Sequence, residues 1–136
     1  MVSQSVYYAV LRAWVGRLIT FVWILRGLIA TGFGLLVWLV VAPLLAPNTL
    51  VAVLVPIVAA GLAGGMLCGA FAPIDASSLA TGSGVALAAV LFVLGWGNPR
   101  QLSLFAYLSP LWLPVLYFVG ALFMTRLRRT DCALTP

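Results

Sequence analysis

The sequence contains no histidine, no lysine and no glutamate, and its 136 residues include only two aspartates, Asp75 and Asp131. Without histidine the chain has no imidazole to act as a general base, as a haem ligand or in the usual zinc sites. A serine or cysteine without a partner base is not a nucleophilic site. The sequence also lacks the glycine-rich loops that bind phosphate groups. We therefore expect that the protein is not an enzyme and that it binds no metal or other cofactor.

The long apolar runs of the sequence contain almost no ionisable groups. Proton-coupled transporters use carboxylates or histidines inside the membrane, whereas Asp75 and Asp131 lie in flanking segments. A voltage sensor needs several arginines in one span, and no run contains them. The two cysteines are too few and too far apart for a disulfide framework, so we expect Cys68 to be a small buried residue.

The composition that remains is strongly apolar. Hydrophobic residues make up 65% of the chain and charged residues 7%, whereas soluble domains are about half apolar and a quarter charged. Such a chain requires lipid as the solvent for most of its surface. The net charge of +5 favours anionic phospholipid headgroups as the partner of the basic segments, rather than nucleic acid.

Four apolar runs are long enough to cross a hydrocarbon core of about 30 Å, which needs about 20 helical residues. Short connections make neighbouring spans antiparallel. The sequence therefore predicts an all-α integral membrane protein, a single domain whose four helices form an up-down-up-down bundle. The predicted spans are residues 27–46, 49–72, 78–96 and 102–124, between a basic segment at 1–26 and a basic tail at 125–136.

The positions of the seven arginines predict the orientation of these spans. Six arginines flank the spans at the two ends of the chain, and Arg100 lies between the third and fourth spans. Positive charge in short flanking segments stays in the cytoplasm. We therefore expect a bacterial cytoplasmic (inner) membrane protein with both termini inside. The arginines that would contact lipid headgroups are Arg12, Arg17, Arg26, Arg126, Arg128 and Arg129.

The N-terminal segment allows two interpretations. On a helical wheel Val6, Val10 and Trp14 share an apolar face opposite Arg12, although Arg17 interrupts that face. One interpretation is an interfacial amphipathic helix on the inner leaflet, before the chain turns into the membrane. The other is one long tilted helix over about residues 7–42, in which Arg26 extends its side chain to the headgroups.

Small residues recur at four-residue spacing in the second and third spans. Residues four apart lie on nearly the same face of a helix, so missing side chains leave a groove into which another backbone fits. These faces predict either close packing between the second and third spans or a contact with another protomer or a larger partner. The residues are Gly61, Gly65 and Gly69 in the second span and Ala80, Gly84 and Ala88 in the third.

Two functions agree with these features. The first is a structural or accessory subunit that packs against itself or a larger membrane complex through its small-residue faces. The alternative is an oligomeric passive channel or carrier for a small neutral or lipid-like solute. The hydroxyls that would line such a path are those of Thr31, Thr81, Ser83, Ser103 and Ser109.

In the fourth span Pro110 and Pro114 predict a kink near residues 106–110.

Overall fold

A computed structural model describes residues 2–45, 50–72, 74–96 and 108–134 of the chain. This part is helical and contains no strand. Helix α1 is followed directly by a short 3₁₀ turn at Ala42–Leu44, and a second 3₁₀ turn at Ser109–Trp112 leads into the last helix. The four α-helices are α1 (Val2–Val41), α2 (Leu50–Phe71), α3 (Ala76–Trp96) and α4 (Leu113–Leu134).

Four described segments are long and apolar enough to cross a membrane. They are Gln4–Leu44, Val51–Phe71, Ala76–Leu94 and Ser109–Asp131. The predictions of an all-α class and of four candidate spans are therefore confirmed. The architecture is compatible with a small multi-pass membrane protein.

Helix α1 is one continuous helix of 40 residues. At 1.5 Å per residue it is about 60 Å long, twice the thickness of a hydrocarbon core. The structure has no break near Arg26 at which an interfacial helix would turn into the membrane. Of the two interpretations, the structure therefore contains the continuous helix. It ends where Pro43, whose ring is incompatible with a helix interior, follows in the 3₁₀ turn.

The last helix differs from its predicted bounds of residues 102–124. Residues 97–107 lie outside the described residues, and α4 begins at Leu113 and continues through the basic tail to Leu134. Pro110 is the second residue of the 3₁₀ turn, and Pro114 is the second residue of α4. Proline is tolerated in a first turn because that turn has no partner for its N–H groups. In the described residues the two prolines therefore mark the start of the helix.

The turn between α2 and α3 is short. The amide of Ala72 donates to the carbonyl oxygen of Cys68 at 3.0 Å, and the amide of Leu79 donates to the carbonyl oxygen of Asp75 at 3.1 Å. The second bond is the first of α3, so Asp75 occupies its N-cap position. The hydroxyl of Ser78 also donates to the Asp75 carbonyl oxygen at 3.1 Å. Helix α3 thus begins two residues before the predicted start at residue 78.

The helices pack so that α2 and α3 each contact both α1 and α4, with the most extensive contact between α2 and α4. Along α1 and α3 the contacts follow the same order, because Gly27 lies beside Leu79 and Gly34 beside Leu87. Along α2 and α4 they also follow the same order, from Gly61 at Leu116 to Gly69 at Ala121. We call the end of the bundle that carries the α2–α3 turn the turn end.

Candidate functional site

The glycine stripe of α2, defined as Gly61, Gly65 and Gly69, packs against α4. A Cβ atom added to Gly65 would overlap the backbone carbonyl group of Tyr117. One added to Gly69 would lie 2.9 Å from the carbonyl oxygen of Ala121, closer than van der Waals contact allows. The missing side chains therefore let two backbones meet. The neighbour of this face is the last helix, rather than the third span of the first alternative.

Helix α3 also turns its small residues inward. Ala80 is fully buried, and Gly84 and Ala88 are buried on the same face. A Cβ added to Gly84 would lie 2.6 Å from the Cα atom of Pro114, at the start of α4. The small-residue faces of α2 and α3 thus both pack against the last helix. All six of the predicted packing residues lie inside the chain's own bundle.

The centre of the bundle is occupied by Tyr117 of α4, whose side chain has no exposed surface. Its ring lies in the gap left by two glycines, because a Cβ at either Gly34 of α1 or Gly64 of α2 would overlap it. Its hydroxyl donates a hydrogen bond to the backbone carbonyl oxygen of Ala30 at 3.1 Å. One side chain therefore extends from the last helix, past the second, to the first.

A second set of interhelical hydrogen bonds lies one turn away on α1. The hydroxyls of Thr31 and Ser83 both donate to the backbone carbonyl oxygen of Gly27, at 2.8 and 3.3 Å. The Thr31 hydroxyl also lies 3.4 Å from the Ser83 carbonyl oxygen. The Cys68 thiol approaches the Ser83 hydroxyl with an Sγ–Oγ distance of 3.9 Å. This set joins α1, α2 and α3 at one level.

We call these four side chains, Thr31, Cys68, Ser83 and Tyr117, the central polar cluster. Each of the four helices contributes one member, and all of them are neutral groups. Among the described residues, every buried side-chain nitrogen or oxygen atom has a hydrogen-bond partner. The described residues also contain no group of three His, Cys, Asp or Glu side chains that could hold a metal ion. The hydrogen bonds of the cluster connect the helices to one another.

The hydroxyls predicted to line a path are separated by the fold. Thr31 and Ser83 belong to the central polar cluster, whereas Thr81 is exposed and donates to its own helix at the Ser77 carbonyl oxygen, at 2.8 Å. Ser109 is buried in the 3₁₀ turn that precedes α4. Ser103 lies outside the described residues. The structure thus brings together two of the five.

The six arginines predicted to contact headgroups are all exposed. Arg26 lies near the turn end, because the next residue, Gly27, packs beside Leu79 in the first turn of α3. Arg126 lies at the same end, since Met124 packs near Gly69, close to the end of α2. Arg12 and Arg17 lie farther toward the N-terminus of α1, and Arg100 lies outside the described residues.

Sequence reasoning missed Tyr117. A signal was present, because tyrosine is enriched at membrane interfaces and its hydroxyl needs a partner when it is buried. Tyr117 falls in the middle of an apolar run, where such a partner must come from another helix. The sequence alone does not identify that helix.

Comparison with protein-family models, with curated proteins and with solved structures finds no match to this chain.

Proposed function

We propose that this protein is a non-enzymatic structural or accessory subunit of a bacterial cytoplasmic membrane, which packs against itself or a larger membrane complex. The observation that carries the proposal is the difference between the two halves of α1. Its C-terminal half is integrated into a bundle with a filled, hydrogen-bonded centre. Every described side chain from residue 4 to residue 26 is exposed. The chain thus combines a rigid anchor with a long apolar helix that is available to a partner.

The arrangement of the contacts supports alternating directions for the four spans. Helices α1 and α3 share one direction, and α2 and α4 share the other, because their contacts follow the same order within each pair. The short α2–α3 turn reverses the chain between the two pairs. Arg26 and Arg126 then lie at one end of the bundle, and the retention of positive charge in the cytoplasm favours that end as the inner one. Both termini are cytoplasmic in this proposal.

The central polar cluster favours a packing role over the alternative, a passive channel or carrier. A path for a neutral solute needs hydroxyls that are free to exchange hydrogen bonds with it. The hydroxyls of Thr31 and Ser83 instead share the Gly27 carbonyl oxygen, and that of Tyr117 is bonded to Ala30. These bonds hold helices together.

The experiment that tests the proposal is purification of the tagged chain from native membranes in a mild detergent, followed by quantitative mass spectrometry. We expect stoichiometric recovery of another membrane protein or of an untagged copy of this chain. A tagged variant with Leu11→Gln and Leu18→Gln, both exposed on α1, is the comparison and should recover less of that partner. A lone monomer from native membranes would contradict the accessory role. Solute flux above that of empty vesicles would instead support the channel.

A further inference from the structure

The N-terminal half of α1 extends beyond the bundle at the turn end. Tyr117 contacts both Gly34 and Gly64, so these two residues lie at the same height. Helices α1 and α2 run in opposite directions from there, so Arg26 of α1 lies level with Ala72, eight residues from each glycine. Residues 2–22 of α1 therefore continue past the α2–α3 turn. At 1.5 Å per residue they extend for about 30 Å.

A membrane of one hydrocarbon thickness that covers the bundle would leave this extension outside it. The bundle occupies residues 26–45 of α1, and 20 residues correspond to about 30 Å, the thickness of one hydrocarbon core. The exposed charged groups Arg26, Asp75 and Arg126 lie at the turn end and favour the headgroup level there. Beyond that level Trp14 and Phe21 are still 66% and 65% exposed. Water around such side chains is unfavourable, so another surface must cover them.

Six of the exposed apolar side chains of the extension follow the spacing of a coiled coil. Residues 7, 11, 14, 18, 21 and 25 alternate steps of four and three, as the a and d positions of a heptad do. At 100° per residue they fall within about 80° of one another. We call them the α1 seam, and all of them are exposed: Tyr7, Leu11, Trp14, Leu18, Phe21 and Leu25.

We propose that the α1 seam packs in parallel against the α1 seam of a second copy of this chain. Copies inserted in one membrane share their orientation, so the two seams run in the same direction and at the same height. Each leucine and each aromatic side chain then meets its counterpart across a two-fold axis. The proposal rests on the packing role inferred above and names its partner.

The charges of α1 are compatible with this pairing. The seam itself contains no charged residue. Arg12 lies about 140° from the centre of the seam, and Arg17 lies about 80° from it and flanks it. Two copies therefore meet without burying an arginine or bringing like charges into the contact, either of which would be costly.

The position of the bundle is compatible with it too. Gly27, Ala30 and Gly34, which face the bundle, lie on the side of α1 opposite the seam. The seam therefore points away from the chain's own bundle, and the two bundles stand on the outer sides of the pair. Aromatic side chains bury about 150–250 Å² each, so three of them and three leucines supply several hundred Å² per copy. This approaches the roughly 800 Å² per partner of a specific interface, to which flanking residues also contribute.

The test is disulfide cross-linking in a cysteine-free background, Cys68→Ala with Cys132→Ser, reconstituted in vesicles of phosphatidylethanolamine and phosphatidylglycerol. Leu11→Cys and Leu18→Cys place a thiol in the seam, and Ala9→Cys and Ala13→Cys place one on the opposite face. After oxidation with copper phenanthroline, we expect at least tenfold more disulfide-linked dimer from the seam positions. Equal yields from both faces, or no dimer at any position, would overturn the proposal.

A second measurement keeps the result independent of the engineered thiols. Single-molecule photobleaching in the same vesicles should count two copies per particle for the unmodified chain and for Ala13→Gln, and one for Leu18→Gln. One copy per particle for the unmodified chain would overturn the pairing. A spin label attached at position 18 that is accessible to oxygen, with no cross-linking at the seam, would also overturn it, because this result indicates a helix lying on the membrane. If another membrane protein co-purifies from native membranes while the seam does not cross-link, the accessory role stands and the second copy is excluded.

Discussion

The hydroxyl of Tyr117 lies 3.1 Å from the backbone carbonyl oxygen of Ala30 and connects the last helix of the chain to the first. The ring passes between Gly34 and Gly64, neither of which has a side chain to obstruct it. In lipid, apolar surface gives little net drive for helices to associate, so close packing and interhelical hydrogen bonds must supply it. This one residue provides both at the point where the bundle closes.

Replacing Tyr117 with phenylalanine should separate these two contributions. The variant keeps the ring but loses the hydrogen bond to Ala30, so we expect the free energy of unfolding to fall by about 0.5–1.5 kcal/mol. The measurement is equilibrium unfolding in mixed micelles of increasing SDS content. Tyr8→Phe removes the hydroxyl of a tyrosine that is 69% exposed and serves as the control. An equal loss of stability in the two variants would argue against a structural role for the Tyr117 hydroxyl.

A methyl group added to a packed glycine of α2 should lower the free energy of unfolding, whereas one added to an open glycine of α1 should raise it. Gly65→Ala forces a methyl group onto the backbone of Tyr117, so we expect a loss of about 1–3 kcal/mol from overpacking. Gly32→Ala meets nothing within 4 Å and should stabilise the protein by up to about 1 kcal/mol through helix propensity. The same unfolding measurement compares them. Stabilisation by Gly65→Ala would show that α2 and α4 do not pack as described.

The hydroxyls of Thr31 and Ser83 should be energetically coupled, because both donate to the Gly27 carbonyl oxygen. In a double-mutant cycle with Thr31→Val and Ser83→Ala, we expect an interaction energy of at least about 0.5 kcal/mol. The control cycle combines Ser83→Ala with Thr81→Val instead of Thr31→Val, because the Thr81 hydroxyl is exposed and bonds only within its own helix. That second cycle should give additive effects. Additivity in both cycles would contradict the shared acceptor.

The turn end and the end of α4 should be accessible from the same side of the membrane. In a cysteine-free background, Ile74→Cys and Asp131→Cys introduce thiols at two exposed positions. A membrane-impermeant maleimide should label both in inverted cytoplasmic-membrane vesicles and neither in intact spheroplasts, because the proposed topology places both segments in the cytoplasm. Labelling of the two positions from opposite sides would exclude the proposed topology.

Much of the fold could be predicted from the sequence, because length and polarity alone decide whether a helix suits a bilayer. The approximate bounds of α2 and α3 follow from this rule. The start of α4 could not be predicted in the same way. An apolar run does not reveal where its backbone becomes helical, and Pro110 and Pro114 favour an N-terminal turn as readily as a kink.

The packing residues were predicted only in part, for a different physical reason. Four-residue spacing identifies Gly61, Gly65 and Gly69 as one face, but a face without side chains accepts any helix of suitable shape. The shape comes from α4, where a Cβ atom added to Gly120 would lie 2.6 Å from the Leu62 carbonyl oxygen. The central polar cluster depends in turn on that choice of neighbour. It becomes visible only when the helices are placed together.

The chain order of the Tyr117 contact has a consequence for biogenesis. The acceptor on Ala30 and the gap between Gly34 and Gly64 belong to the first two helices, whereas the group that fills the gap arrives with the last. If the helices enter the membrane in chain order, the first three leave this gap unfilled. Native packing is then completed only after Tyr117 has been inserted.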